Sequence, residues 1–345
     1  MIKKNICDFP LEELEKIFLA WGEQKFHAKQ VFSWIYQKAT LNFSGMSNVP
    51  VRLRKKLEEN LCLQELNLIK QVKSSDGTGK FLFELKDKNL IEAVTIPTKD
   101  RLTGCVSTQV GCKFTCKFCA SGLLGFKRNL SCGEIINETL FLKNKSLPKK
   151  LTHIVFMGTG EPLDNYAEVL KAIRIINSPD GFNIGARRIT ISTAGLIPGI
   201  EKLAKEGLQI ELSVSLHAAD DKTRSLIMPI NKIYPLEKLI SSCREYFQQT
   251  NRQVTFEYIL IKGLNSSLQS AQNLGRILTG FDCKLNLIPA NSVGELGIEP
   301  PGQKEILLFK NTLVKNKIKV TLREPRGEDI EAACGQLRLQ YAKKN

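Results

Sequence analysis

From Leu102 onward the chain repeats one pattern, a short apolar run, a loop, then an amphipathic run, and this limits the fold more than any other feature. The pattern predicts strands over 102–108, 152–157, 188–193, 209–216, 253–261, 283–288 and 318–322. Helices are expected at 133–144, 166–177, 198–206, 235–249, 268–279 and 303–316. Such alternation builds a parallel sheet wrapped by helices, an α/β fold. Six or so units fall short of the eight in a closed barrel, so a partial (β/α)6 barrel is expected. In folds of this kind the reactive residues gather at the carboxyl ends of the strands.

The first hundred residues read differently. Leu11, Leu14 and Phe18, then Phe26, Val31, Trp34 and Ile35, recur at helical spacing, so 1–68 is expected to be a small helical domain. Strands are predicted in the runs 80–85 and 90–96 around the turn 86–89, which makes 69–98 a β-hairpin linker. The main domain then occupies 99–345. Asp8, Glu12, Glu13 and Glu15 stand where a signal peptide needs an apolar stretch. No apolar run approaches the ~20 residues of a membrane span, and a cytoplasmic protein is expected. The formal charge is +15, of which residues 1–100 supply only +3. Basic runs at Arg52–Lys56, Lys149–Lys150 and Lys315–Lys319 are individually solvated faces. Taken together they suggest a nucleic acid that approaches the main domain.

Ten cysteines in a chain expected to be cytoplasmic read as metal ligands or reactive thiols rather than disulfides. Cys112, Cys116 and Cys119 are spaced C-x3-C-x2-C. Three thiolates hold three irons of a [4Fe–4S] cluster and leave the fourth without a protein ligand, whereas electron-carrying clusters are closed by four cysteines. An open metal position is usually open for substrate. The alternative is a zinc knot completed by Cys105 or Cys132, although no second paired unit is present. The spacing, with Phe118 before the last cysteine, resembles the radical S-adenosylmethionine (SAM) superfamily. There the open iron chelates the amino and carboxylate groups of SAM and delivers the electron that breaks its sulfonium bond.

Four strand ends carry polar groups that fit around a nucleoside. Gly160 and Glu161 lie in Met157-Gly-Thr-Gly-Glu-Pro162, directly after a predicted strand, where glycine lets backbone approach a ligand and the carboxylate suits an ammonium. Ser192, the run Ser215, Leu216 and His217, and Asn291 follow three further strands. Each alone is an ordinary strand terminus; their joint position favours a site. Cys105 precedes the triplet by seven residues and Cys334 lies near the C-terminus. Both read as structural cysteines or as an exchanging thiol pair, depending on whether both sit over the SAM site.

Across nearly its whole length the sequence resembles the radical SAM RNA adenine-C2 methyltransferases, which modify 23S ribosomal RNA and, in many members, tRNA. The resemblance rests on the runs 26–30 and 34–36, Glu92–Pro97, Cys105–Cys112, Gly125–Leu130, Met228–Asn231, Asn286–Pro289 and Arg326–Gln336. It implies that one SAM methylates Cys334 and that a second is cleaved to a 5′-deoxyadenosyl radical. The S-methyl group then becomes a carbon radical that adds to C2, Glu92 accepts the C2 proton, and Cys105 releases product by forming a disulfide. It also implies an RNA-binding role for the N-terminal helices, an electron donor such as flavodoxin or ferredoxin, and a monomer. Thr159 stands where many members carry Met, Glu138 where Gln is expected, and His27 where Arg is expected. Two alternatives remain: the sister group that methylates C8 of the same ribosomal adenine, and a non-catalytic iron–sulfur RNA-binding protein.

Overall fold

A computed structural model describes residues 3–290, 298–323, 327–330 and 335–344. Ten strands form one sheet in which order along the chain is order in space. Three of them, β1 (Asn67–Lys73), β2 (Gly79–Glu84) and β3 (Leu90–Pro97), are antiparallel. Seven more, β4 (Leu102–Cys105), β5 (His153–Phe156), β6 (Ile189–Thr193), β7 (Glu211–Ser215), β8 (Val254–Leu260), β9 (Lys284–Pro289) and β10 (Lys319–Leu322), run parallel to one another. Helices α1 (Leu11–Ala20), α2 (Lys25–Tyr36) and α3 (Val51–Asn60) precede the sheet. Between successive parallel strands come α4 (Cys132–Lys145), α5 (Tyr166–Asn177), α6 (Ile197–Ala204), α7 (Asp221–Ile227) with α8 (Leu236–Thr250), α9 (Leu268–Leu278) and α10 (Gln303–Lys315). The last helix is α11 (Gln336–Lys344). Six strand–helix units and a seventh strand make the expected partial barrel.

Two features differ from the sequence reading. The hairpin strands do not stand apart: β3 pairs with β4, Val94 opposite Cys105, so the sheet continues unbroken from hairpin to barrel. The strand expected over 102–108 ends at Cys105. Beyond it the backbone of 106–109 bonds to the turn after β5, with Gly158 N–H donating to Val106 O and Thr108 N–H to Thr159 O. Val106, Ser107, Thr108 and Gln109 are all buried there, three of them polar, in a segment held by these bonds.

Alternation sets the two faces of the parallel sheet. Ile189, Ile191, Leu212, Val214, Val254 and Phe256 belong to the main apolar core. Ser192, Ser213, Ser215, Thr255 and Glu257 point the other way, in register across β6, β7 and β8. The N-terminal helices share the same core through Leu14, Phe18, Val31, Phe32 and Tyr36. Asp8 accepts from Gly133 N–H (2.7 Å) in the first turn of α4, and Lys143 donates to Gln37 O (2.8 Å). A capping box closes α4: Ser131 Oγ accepts from Glu134 N–H, and Glu134 accepts from Ser131 N–H.

Glu138, in the middle of α4, is fully buried and accepts from Ser107 N–H (3.0 Å). Burial pushes its carboxyl well above the ordinary 4.5, which favours the neutral form, the one that resembles Gln. The folded protein thus binds a proton that the unfolded chain releases above 4.5, and stability falls as pH rises from there. Glu138→Gln removes this loss. Denaturant unfolding should find the variant and wild type alike near about pH 4 and the variant increasingly more stable toward about pH 8. A difference that does not change with pH would contradict it.

Candidate active site

The three cysteines of the triplet lie on the loop that leaves β4, in partly exposed positions and without disulfides. This loop is folded by its neighbours rather than by itself. Phe114, Cys116 and Phe118 pack on Ile227, Met228 and Ile230, at and just after the end of α7. Lys117 N–H donates to Ile227 O (2.9 Å), and Phe118 meets His217 edge-on, centroids 4.6 Å apart. Burial pushes the Cys112 thiol up to about 12 and Cys116 higher still. Taking up metal therefore means releasing protons. Among the described residues no three His, Cys, Asp or Glu side chains are grouped so as to hold one metal ion. Cys132, a candidate fourth ligand for the zinc knot, lies instead beside Cys7 and Tyr36 under the first turn of α4. Three soft donors on one loop fit a cluster, which spreads its cysteines over several irons.

The turn after β5 is stitched to the stem of this loop. Thr159 O accepts from Thr108 and Gln109 N–H, Thr159 N–H donates to Ser107 Oγ, and Glu161 N–H donates to Gln109 Oε1 (2.9 Å). Asn165 Nδ2 reaches both Thr108 O and Leu130 O, at 2.8 Å each. Gly160 has φ +112°, and a Cβ there would lie 2.6 Å from that of Gln109. Only glycine allows so close an approach. Glu161 is 3% exposed; its carboxylate accepts from Ala194 N–H (2.7 Å) and Leu163 N–H (3.1 Å). Burial nevertheless pushes it up to about 7, and it is among the charges that act on Cys112 and Cys116.

The polar face of β6 to β8 supplies the next wall. Ser192 pairs with Ser213, whose hydroxyl donates to Glu257 (2.8 Å). Asn286 and Arg323 donate to the same oxygen, while the other, Oε2, has no hydrogen-bond partner among the described residues. His217 is buried at φ +59°, its Nδ1 accepting from Ile259 N–H (3.0 Å). Burial, then the nearby Arg224 cation, lowers it to about 3. It is a neutral ring with its proton on Nε2. Arg224 itself is fully buried and ties Ala194 O, Ser215 O, Leu216 O and Asn231 Oδ1 together.

On the hairpin side, Glu92 and Cys105 share one face, because Cys105 pairs with Val94 two residues along β3. Glu92 Oε2 accepts from Gly335 N–H (2.9 Å), and Oε1 accepts from Arg338 N–H. Gly335, at φ +81°, sits against Ala120 and Ser121, just past Cys119; a Cβ would lie 2.6 Å from Ser121 N. Cys334 and Asn291 lie outside the described residues. The residue after Cys334 is thus in contact with the residues after Cys119 and with Glu92. The sequence reading passed over Arg224, Glu257 and Lys80. For Lys80 and Glu257 the available signal was a charged residue inside or at the edge of an apolar strand, plain for Glu257 in Val254–Leu260; Arg224, in the short helix α7, gave none.

Residues 4–63 match the family described as the ribosomal RNA large subunit methyltransferase N-terminal domain, and 106–269 match the radical SAM superfamily. A protein of Clostridium novyi named a probable dual-specificity RNA methyltransferase RlmN is 47% identical over 99% of this chain and 100% of its own length. One of the same name from Caldanaerobacter subterraneus is 46% identical over 99% of each. The crystal structure of a radical SAM methyltransferase from Sphaerobacter thermophilus, 42% identical, superposes over 96% of this chain and 98% of that one with a TM-score of 0.92. The open cysteine triplet, the barrel and the helical N-terminus therefore have one reading: the chain belongs to the RlmN family of radical SAM RNA methyltransferases.

Proposed function

We propose that the protein methylates C2 of adenine in 23S ribosomal RNA and in tRNA, using two SAM molecules per turnover and a methyl group carried on Cys334. The observation that supports this most is the meeting of four chain segments at one end of the barrel: the cysteine loop, the Glu161 turn, the Glu92–Cys105 face and Gly335. C2 of adenine is electron-poor, so an electrophilic methyl group finds no partner there, whereas a carbon radical does. Cys112, Cys116 and Cys119 would hold a [4Fe–4S] cluster, which would supply the electron that cleaves SAM.

The chain's own groups then have separate tasks. Glu161, unsettled by burial near neutrality, is satisfied when the SAM ammonium lies beside it. Ser192, Ser215, Leu216 and His217 are assigned to the adenosyl group, and Asn291 is assigned to it from the sequence alone. Cys105 resolves the thioether on Cys334, and Glu92 takes the C2 proton. Lys117 and Lys127 are exposed on the cysteine loop and give an acidic one-electron carrier, a flavodoxin or ferredoxin, a cationic face, while the exposed Lys113 is paired with Asp164 (2.8 Å). No helix among the described residues is long and apolar enough to cross a membrane.

Nucleoside mass spectrometry of RNA treated anaerobically with reconstituted enzyme tests the assignment directly. 2-Methyladenosine is expected; 8-methyladenosine, or 5′-deoxyadenosine without any methylated base, would overturn it. Cys105→Ala should trap an RNA adduct on Cys334 and release less than about a hundredth of the normal product. Free turnover by that variant at the wild-type rate would rule out a resolving thiol.

RNA contact by the N-terminal domain gives a second expectation. Phe26 is 55% exposed on α2, flanked by the exposed Lys25 and Lys29. Phe26→Ala should weaken RNA binding by about 1–3 kcal/mol with an unchanged salt slope, through lost stacking. Replacing Lys25 and Lys29 by Ala should instead flatten the slope of log K against log salt by roughly 1–2. Filter binding across a salt series separates the two. Identical behaviour of both variants to wild type would remove this face from the interface.

A further inference from the structure

The hairpin holds the chain on both sides of Cys334. On the near side, Asp329 accepts from Ser74 Oγ (2.5 Å) and Ser75 N–H (2.9 Å), and Gly327 N–H donates to Asp76 Oδ2 (3.1 Å). The turn that makes these contacts, between β1 and β2, is itself fixed by Thr78 N–H on Asp76 Oδ1 (2.8 Å). On the far side, Glu92 accepts from Gly335 and Arg338 N–H at the start of α11. The Gly335 amide is the peptide bond of Cys334 itself. Lys80, on β2, is fully buried and places its ammonium 3.2 Å from Glu92 Oε2.

A buried ammonium and a buried carboxylate each offset part of the other's desolvation cost, and losing one leaves the other uncompensated. Lys80 and Glu92 lie on one face of the sheet, on neighbouring strands, since Lys80 pairs with Val94 and Leu82 with Glu92. The sheet thus fixes the carboxylate from behind while its oxygens take the backbone of the C-terminal segment. Residues 330–334 are the five that separate the two anchored stretches.

We propose that the antiparallel hairpin is a two-point anchor for the segment bearing Cys334, and that Lys80 is a positioning residue that acts through Glu92. The Ser74–Asp76 turn fixes one end of the segment, and the Lys80–Glu92 pair fixes the other. Cys334 must meet both SAM and an RNA base, and anchors on either side of a run this short limit how far it can stray. This consequence rests on the reading of Cys334 as methyl carrier; the anchoring itself does not.

The test uses full-length, cluster-reconstituted enzyme carrying Lys80→Met, Lys80→Arg or Asp329→Ala. N-ethylmaleimide labelling of Cys334 is followed by peptide mass spectrometry, with Cys243, wholly buried in α8, as an internal control. Lys80→Met and Asp329→Ala should each label Cys334 on the order of tenfold faster, with Cys243 unchanged. Iron content and slow SAM cleavage without RNA should remain within about twofold, while methylation of Cys334 and of RNA falls. Lys80→Arg, which keeps the charge, should restore most of the protection. Unchanged labelling of Cys334 in both Lys80→Met and Asp329→Ala overturns the proposal, and so does equal acceleration at Cys243. If Lys80→Arg labels as fast as Lys80→Met, the ion pair is not the device. Should Lys80→Met fail to fold, Asp329→Ala, at an exposed position, decides alone. RNA methylation by Cys334→Ala would defeat the methyl-carrier reading while leaving the anchor standing.

Discussion

The pairing of β3 with β4 is the constraint on which the site depends. It joins an antiparallel hairpin to a parallel barrel and sets Val94 opposite Cys105. A slip of one residue would turn Glu92 to the opposite face from Cys105, because side chains alternate along a strand. With the register as it is, a carboxylate and a thiol face the same space. The stem of the cysteine loop enters that space from Cys105, and the C-terminal segment arrives there through Gly335. Residues more than two hundred positions apart meet because one strand pair is in the right register.

Buried charge marks the other places where the site is held rather than merely packed. Arg224 gathers carbonyls from the ends of β6 and β7 and the amide of Asn231, so one side chain ties together the loops that follow two strands. Burial lowers its guanidinium to about 10, which leaves it a cation at neutral pH. Glu257 does similar work across β7, β9 and the residue after β10. Such groups are costly to bury, and removing one partner leaves the other uncompensated. A network of this kind fixes one arrangement of loops more sharply than apolar packing does.

Much of this was legible in the sequence. The strands over Ile189–Thr193 and Val254–Leu260 stand out because apolar residues alternate or run together between loops. The cysteine spacing and the glycines around Glu161 named the chemistry. What the sequence did not disclose is tertiary. β1 is largely exposed, so its pattern carries little apolar signal, and α7 is only seven residues long. The hairpin was legible, but its continuation into the barrel depends on a pairing that no local pattern encodes. Lys80 looks like any strand-edge lysine until Glu92 is placed beside it. Glu138 looks like a charge until burial favours its neutral form.

The central claim is that the methyl group reaches RNA by way of a protein thiol and loses one hydrogen on the way. SAM carrying a fully deuterated methyl group tests this in one experiment, read by mass spectrometry of the methylated adenosine and of 5′-deoxyadenosine. The account predicts that the transferred carbon keeps two deuterium atoms and gains one solvent-derived or exchanged hydrogen, with the third deuterium in 5′-deoxyadenosine. A methyl group that arrives with all three deuterium atoms, beside unlabelled 5′-deoxyadenosine, would contradict it.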